Sequence, residues 1–172
     1  ISTGRCTFGT NEAFTPSYCD PAKSITQQID EGIEFHTRRY RTAEGYLAYF
    51  QSFSNTYAPV ERLRELYSEA LAHPQVKGII VGTRPDCVDQ QKLDLLAELA
   101  RESYVAVEYG IESCYDATLA RINRGHDFEC ARRAVEMTAE RGLHCGAHFI
   151  LGLPEESDQM LIDQTDTINS LP

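Results

Sequence analysis

Strand-like apolar stretches alternate with amphipathic helical stretches along most of this chain, and this alternation limits the folds that are open to it. Four stretches are rich in apolar, aromatic and β-branched residues, which is typical of buried strands. They are YLAYFQSF (46–53), VKGIIVGT (76–83), YVAVEYG (104–110) and LHCGAHFILGLP (143–154). The sequence therefore predicts at least these strands, with both faces of each strand buried.

Between and after these stretches, apolar residues recur at steps of three and four, which predicts helices. Ser24 and Gln27 are spaced as a capping box, so a helix is expected to begin after Ser24. Asp89 and Asp127 are expected to be the N-caps of two later helices, and Gly142 is expected to end the second of these. We therefore interpret residues 24–172 as successive βα units of a single α/β domain.

Buried strands that alternate with helices predict a parallel sheet with right-handed crossovers. Two architectures satisfy this pattern, a doubly wound sheet and an arc of a (β/α) barrel. In both of them ligands bind at the carboxyl ends of the strands. The stretches at those ends are FQSFSNTY (50–57), GTRPD (82–86), EYGIES (108–113) and HFILGLPEE (148–156).

The charge balance is acidic, with a formal net charge of −10 at pH 7. This balance argues against a broad nucleic-acid surface, which needs clustered Lys and Arg. The one basic stretch, HTRRYR (36–41), is interpreted as a solvated helix end, where cations suit the helix dipole. No apolar run approaches the length of a membrane span, so no membrane partner and a cytoplasmic location are expected.

Two charged residues stand out because of where they fall. Glu108 lies near the end of a predicted buried strand, where a carboxylate needs hydrogen bonds or a cation. Arg84, at the end of the neighbouring strand, is one candidate partner. Arg124 follows a short helical turn after Glu112, so it could return to the same edge of the sheet and bind a ligand carboxylate.

The order of these motifs resembles the radical S-adenosylmethionine (SAM) superfamily. The segments 108–142 and 148–156 are similar to the branch that contains oxygen-independent coproporphyrinogen oxidase and the elongator catalytic subunit. YFQSFSNTYAPVERL (49–63) and VGTRPDCV (81–88) are similar to a bacterial group described as Fe–S oxidoreductases. The resemblance covers nearly the whole chain and implies a partial (β/α) barrel, the radical SAM core, with parallel strands and outer helices.

The resemblance also implies an activity. Such enzymes hold a [4Fe–4S] cluster on three cysteines, bind SAM at the free iron and cleave it reductively to methionine and a 5′-deoxyadenosyl radical. An electron donor such as flavodoxin or ferredoxin is implied as a partner. The substrate is not specified by the motifs, and kinship with the elongator subunit leaves tRNA open despite the acidic charge.

The cluster loop of the family ends in a CxxC pair, and Cys6 matches the first cysteine of that pair. Gly9 stands where the last ligand is expected, and the family's earliest cysteine has no counterpart. We therefore expect residues 1–23 to be the remnant of a cluster loop in a chain that is truncated or gapped. A chain of this sequence is expected to lack the cluster and to be inactive.

The resemblance assigns most of a SAM pocket to this chain. Gln51, Ser52 and Asn55 occupy the place of a stretch that contacts the amino group of SAM. Glu112 matches a position that contacts SAM, and Arg124 matches the arginine that pairs with the methionine carboxylate.

The other implied pocket residues lie on the neighbouring strands. His148 matches a position that faces the ribose, and Ile150 lies in the strip that backs the adenine. Arg84 and Glu108 are expected to face the same cavity.

Each assignment has a structural alternative. Gln51 and Ser52 could only satisfy backbone groups at a strand end, and Glu112 with Arg124 could be a structural ion pair. His148 could be a neutral core histidine bonded to a neighbouring strand. Two other functions also remain open, namely a metal-independent barrel lyase with Glu108 and His148 as acid and base, and a binding module for SAM or an RNA-linked partner that lacks the cluster.

Overall fold

The computed structural model describes residues 6–7 and 15–172, and within them the chain forms one four-stranded parallel sheet with helices. The strands are β1 (Tyr46–Phe50), β2 (Val76–Thr83), β3 (Tyr104–Glu112) and β4 (His144–Phe149). The helices are α1 (Ile25–Thr37), α2 (Val60–Leu71), α3 (Gln90–Leu99), α4 (Asp116–Arg121), α5 (Phe128–Ala139) and α6 (Asp158–Asn169), with a 3₁₀ turn at Pro85–Cys87. Residues 1–5 and 8–14 of the expected cluster-loop remnant lie outside the described residues.

The helices begin where the capping residues predict. The Ser24 hydroxyl accepts a hydrogen bond from the backbone NH of Gln27, and the Gln27 side chain accepts one from the NH of Ser24, which completes the capping box. The side chains of Asp89 and Asp127 cap α3 and α5 in the same way. Gly142 has a φ of +66° just after α5, so the chain turns there toward β4.

The strand order is β1-β2-β3-β4, with every neighbouring pair parallel. Strands that follow each other in sequence are therefore neighbours in space, and the order does not reverse as it does in a doubly wound sheet. Alternate residues of β2 and β3, among them Ile79, Val81 and Val107, are fully buried in a core with residues of α2, α3 and α5. This arrangement is an arc of a (β/α) barrel, as the resemblance implies.

The prediction that both strand faces are buried is wrong. On the face away from the core, Leu47 and Tyr49 of β1 are each 43% exposed, and the side chains of Glu108 and His148 also reach solvent. We call this surface the inner face, since it corresponds to the lumen of a barrel.

Several strand boundaries differ from the prediction, among them the end of β4, which lies at Phe149 and not at Pro154. β1 ends at Phe50 and not at Phe53, because the backbone turns away through a positive φ of 67° at Phe53. β3 continues beyond Gly110 to Glu112, which is itself at a φ of +75°. The carboxyl end of β3 therefore carries a charged side chain on a strained backbone position, a feature that often marks a functional site.

Candidate functional site

Glu112 and Arg124 form a buried ion pair at the carboxyl end of the sheet. Glu112 is the last residue of β3, and Arg124 follows α4, which returns the chain to the same edge. The Nη2 atom of Arg124 lies 3.2 Å from Oε1 of Glu112, and the two side chains are 9% and 11% exposed. Burial raises the pKa of Glu112, while the charges of Arg124 and His148 act in the opposite direction.

Gly110 makes the space that this ion pair occupies. A Cβ atom at this position would lie 2.6 Å from Nη2 of Arg124 and 2.6 Å from Oε1 of Glu112. Arg124 also donates a hydrogen bond to the carbonyl oxygen of Gly110. Only glycine allows the guanidinium and the carboxylate to approach the strand this closely.

The remaining donors of Arg124 reach two other segments. Its Nε atom donates to Nε2 of His126 over 3.1 Å, and its Nη1 atom lies 3.5 Å from Sγ of Cys6. The backbone NH of Thr7 donates to the carbonyl of Ile122, which fixes Cys6 at the same end of the sheet. The thiol and the ion pair thus come from segments that are far apart in sequence.

The part of the chain that the structure describes holds Cys6 but no complete set of ligands for a [4Fe–4S] cluster. Among residues 6–7 and 15–172, no three His, Cys, Asp or Glu side chains are grouped closely enough to hold a metal ion. Gly9, the expected position of a ligand, lies outside the described residues, and the sequence on either side of Cys6 up to position 14 contains no further cysteine. The family resemblance implies three cysteine ligands, and Cys6 matches one of them.

Glu108 lies at the centre of a second polar group of side chains, on the inner face, formed with Tyr49 and His148. Its Oε2 atom accepts a hydrogen bond of 2.6 Å from the hydroxyl of Tyr49 and lies 2.8 Å from Nε2 of His148. Glycines Gly82 and Gly146 flank Glu108 in register on the two neighbouring strands, which leaves room for these side chains.

The pKa values of this group follow from its contacts. Burial alone would raise the pKa of Glu108, but the hydrogen bonds from Tyr49 and His148 outweigh it and lower the pKa. Burial and the bond to Glu108 raise the pKa of Tyr49 to about 12. The group therefore holds an ionised carboxylate between a neutral phenol and an imidazole at neutral pH.

The predicted pairing of Glu108 with Arg84 is wrong. Nε and Nη2 of Arg84 donate to the two carboxylate oxygens of Asp86 over 2.8 and 2.7 Å. Burial alone would raise the pKa of Asp86, but these bonds lower it. Arg84 pairs with Asp86 because Asp86 follows it by only two residues, in the 3₁₀ turn, whereas Glu108 lies on the adjacent strand.

The loop after β1 is held by Asn55. Its Nδ2 atom donates to the carbonyls of Phe50 and Gly82 over 2.9 Å each, so the backbone at the ends of β1 and β2 is satisfied by this amide. The structural alternative for Gln51 and Ser52 gave them this role, but Asn55 fills it. Gln51 is exposed, and the Ser52 hydroxyl forms a hydrogen bond with that of Thr15.

The end of β4 holds the last two predicted residues. The side chain of His148 is 58% exposed, so its interpretation as a core histidine is wrong, although it does bond to the neighbouring strand. The backbone NH of Ile150 donates to the carbonyl of Glu112 over 2.9 Å. The carboxyl-terminal halves of β3 and β4, with the segments that follow them, therefore carry five of the predicted residues, namely Glu108, Glu112, Arg124, His148 and Ile150.

Sequence reasoning missed two residues of this region, Tyr49 and His126. Tyr49 lies in YLAYFQSF, an aromatic-rich stretch with little polarity, and its partner lies two strands away. His126 stands two positions after Arg124 in RINRGH, and this proximity was the signal that could have found it.

Comparison with known proteins identifies the family. A model of the radical SAM superfamily matches residues 3–167. The chain belongs to the radical SAM superfamily. The expectations of this family and of its partial barrel fold are thereby confirmed.

Relatives and solved structures agree with this membership. The radical SAM chain is similar to YhcC of Escherichia coli K12, with 41% identity over 157 residues that cover 91% of this chain and 49% of YhcC. It is similar to YtqA of Bacillus subtilis, with 39% identity over 180 residues that cover 99% of this chain and 53% of YtqA. The structure of archaeal Elp3 from Methanocaldococcus infernus, lacking residues 1–46, matches with a TM-score of 0.70 and 18% identity over 84% of this chain and 38% of Elp3.

Two facts about these matches bear on the site. The chain spans about half the length of the curated relatives it matches. The alignment with YtqA extends over 180 residues, more than the 172 of this chain, so YtqA has residues within the aligned stretch that have no counterpart here.

Among the helices of residues 6–7 and 15–172, none is long and apolar enough to cross a membrane.

Proposed function

We propose that the carboxyl ends of β3 and β4 bind SAM, and that a protein which adds the remaining cluster cysteines to this chain cleaves SAM reductively to methionine and a 5′-deoxyadenosyl radical. One observation carries this proposal. The thiol of Cys6 and the buried Glu112–Arg124 pair converge from separate segments on one edge of the sheet. The substrate of the radical is left unassigned.

The charges of the pair complement the methionine end of SAM. That end carries a carboxylate and an ammonium group, and the guanidinium of Arg124 and the carboxylate of Glu112 match them in sign. Among the described residues, the Nη1 atom of Arg124 contacts the Sγ atom of Cys6, at 3.5 Å. A ligand carboxylate could therefore bond to Nη1 without breaking the Glu112 contact.

The inner face offers acceptors for the rest of SAM. Oε2 of Glu108 is occupied by Tyr49 and His148, which leaves Oε1 and the Nδ1 atom of His148 for hydroxyl groups of the ribose. We assign the adenine to the strip around Ile150. Gln51 and Ser52 complete the proposed contacts, with Asn55 holding their loop and Arg84 adding positive charge at the strand ends.

A bound [4Fe–4S] cluster supplies the electron that cleaves SAM, delivered from a donor such as flavodoxin or ferredoxin. This chain offers Cys6 toward that cluster, and the residues around it are too few to hold one, so no reaction step is assigned to them. We propose that residues 1–172 form one partial-barrel domain of such a protein.

Calorimetric titration of this chain with SAM tests the proposal. Arg124→Ala is expected to raise the Kd by about tenfold to a hundredfold, because a charged hydrogen-bond donor is lost. Arg132→Ala is the matched control, since Arg132 lies on the exposed surface of α5 in pairs with Glu129 and Glu136. Equal affinities for all three proteins would contradict SAM binding at this site, provided that thermal unfolding shows each variant to be folded.

A second candidate, a metal-independent lyase, is favoured by the 2.8 Å contact between Glu108 and His148, which is within reach for acid–base catalysis. The two candidates differ in a simple observation. A lyase that uses this pair does not need SAM, so loss of SAM binding in Arg124→Ala supports the first candidate. An intact protein that binds SAM but never acquires iron would instead be a binding module.

A further inference from the structure

Arg124 is held in place by a histidine that the proposed SAM contacts do not include. The Nε atom of Arg124 lies 3.1 Å from Nε2 of His126, and Nδ1 of His126 lies 3.1 Å from the carbonyl oxygen of Asp127. His126 is partly buried and lies just before helix α5. Both nitrogen atoms of its ring are therefore engaged.

These two contacts determine the state of the imidazole. The Nε atom of arginine can only donate, so Nε2 of His126 must accept. A carbonyl oxygen can only accept, so Nδ1 must carry the proton. His126 is thus neutral, in the Nδ1–H tautomer, whenever both hydrogen bonds are present.

We propose that His126 is a positioning residue that orients the guanidinium of Arg124 for the carboxylate of SAM. The inference rests on the proposed function, since it concerns how that same site is organised. Without the acceptor at Nε2, the long side chain of Arg124 keeps only its contacts through the Nη atoms, and its plane can rotate about them. The direction in which Nη1 offers its N–H groups to a ligand carboxylate depends on the orientation of that plane.

The surroundings of His126 favour the neutral ring. Burial lowers its pKa from the ordinary value of 6.5, and the charges of Arg124 and Arg84 act in the same direction. The Asp127 carbonyl and the charge of Asp86 oppose them. A protonated ring would present an N–H to the N–H of Arg124 and place two positive charges side by side.

The proposal therefore predicts a pH dependence. Neutral His126 is required for tight binding, so SAM affinity is expected to fall as the pH drops through the lowered pKa, by about the tenfold that loss of the acceptor costs. Glu112 and His148 also lie near the proposed ligand and can titrate. A variant at position 126 is needed to separate their contributions from that of His126.

Three variants of this chain test the role by SAM titration. His126→Phe keeps a ring but removes the acceptor, and is expected to raise the Kd about tenfold at pH 7.5. His126→Gln keeps an acceptor that does not titrate, so it is expected to restore most of the affinity and to lose the His126 part of the acid-side weakening. His144→Gln is the control, because His144 lies at the opposite end of β4, stacked on Tyr104.

Nitrogen NMR of the histidine rings tests the same inference without SAM. The Nδ1–H tautomer of His126 at pH 7.5 supports it, and either the other tautomer or a charged ring overturns it. Unchanged affinity and an unchanged pH profile in His126→Phe and His126→Gln would also overturn it. If the wild-type chain does not bind SAM at all, the proposed function fails, and the NMR result alone decides whether His126 orients Arg124.

Discussion

Removal of the Arg124 guanidinium is expected to leave the carboxylate of Glu112 buried without a partner. The side chains are 9% and 11% exposed, with Nη2 and Oε1 3.2 Å apart. Breaking a buried pair in this way costs about 3–5 kcal/mol of unfolding free energy. Because burial already raises the pKa of Glu112, the carboxyl group in Arg124→Ala can take up a proton, which places the cost near 3 kcal/mol at pH 7.5.

The unfolding free energy of Arg124→Ala is expected to depend on pH, in a direction that follows from the raised pKa of Glu112. With its pKa raised in the folded state, Glu112 holds a proton that the unfolded chain has released, so the stability of the variant falls as the pH rises from about 4.5 through the folded pKa. Urea unfolding at pH 5 and pH 8 measures this difference. The variant is expected to lie closer to the wild type at pH 5.

A double-mutant cycle with Glu112→Gln completes the test. The double variant Glu112→Gln/Arg124→Ala is expected to be more stable at pH 8 than Arg124→Ala alone, because no charge is left buried. Arg62→Ala, which breaks an exposed pair with Glu65, is the control and is expected to change stability little. The reasoning is refuted if Arg124→Ala loses less than about 1 kcal/mol and shows no coupling to Glu112.

Two further predictions follow from the same site. Gly110→Ala places a Cβ atom 2.6 Å from both members of the ion pair, so it is expected to destabilise the chain by about 1–3 kcal/mol and to weaken SAM binding. Gly82→Ala is the milder control, because its Cβ atom lies 3.1 Å from the nearest atom. Equal losses of unfolding free energy for the two variants in urea would contradict this prediction. Anaerobic incubation of this chain with iron and sulfide is expected to give no broad visible absorbance, because Cys6 alone cannot hold an iron–sulfur cluster. A stable colour with bound iron and sulfide would contradict the prediction that this chain lacks the ligands for a cluster.

Local signals in the sequence predicted the helices well. The side chains of Ser24, Asp89 and Asp127 each cap a helix by accepting from a backbone NH only three residues away, so their effect is contained in a short window. The same holds for β2, whose predicted bounds of 76–83 are those of the structure.

Contacts between strands could not be predicted in the same way. Glu108 needed a partner, but the choice between Arg84, Tyr49 and His148 depends on strand register and on which side chains share a face. The inner face was missed for a related reason. YLAYF is apolar at every position, so its alternation of burial depends on the helices covering only one side of the sheet.

The family resemblance supplied what local patterns could not. It assigned Glu112, Arg124 and His148 to one pocket, and all three side chains lie along the ends of β3 and β4. It gave no sign of His126, whose role depends on the direction of two hydrogen bonds.

A crystal structure of this chain grown with SAM tests the central claim most directly. The account predicts electron density for SAM at the carboxyl ends of β3 and β4, with its carboxylate bonded to Arg124 and its adenosine on the inner face. Density for SAM on the helical side of the sheet, or a site at Arg124 and Glu112 that stays empty at saturating SAM, would contradict it.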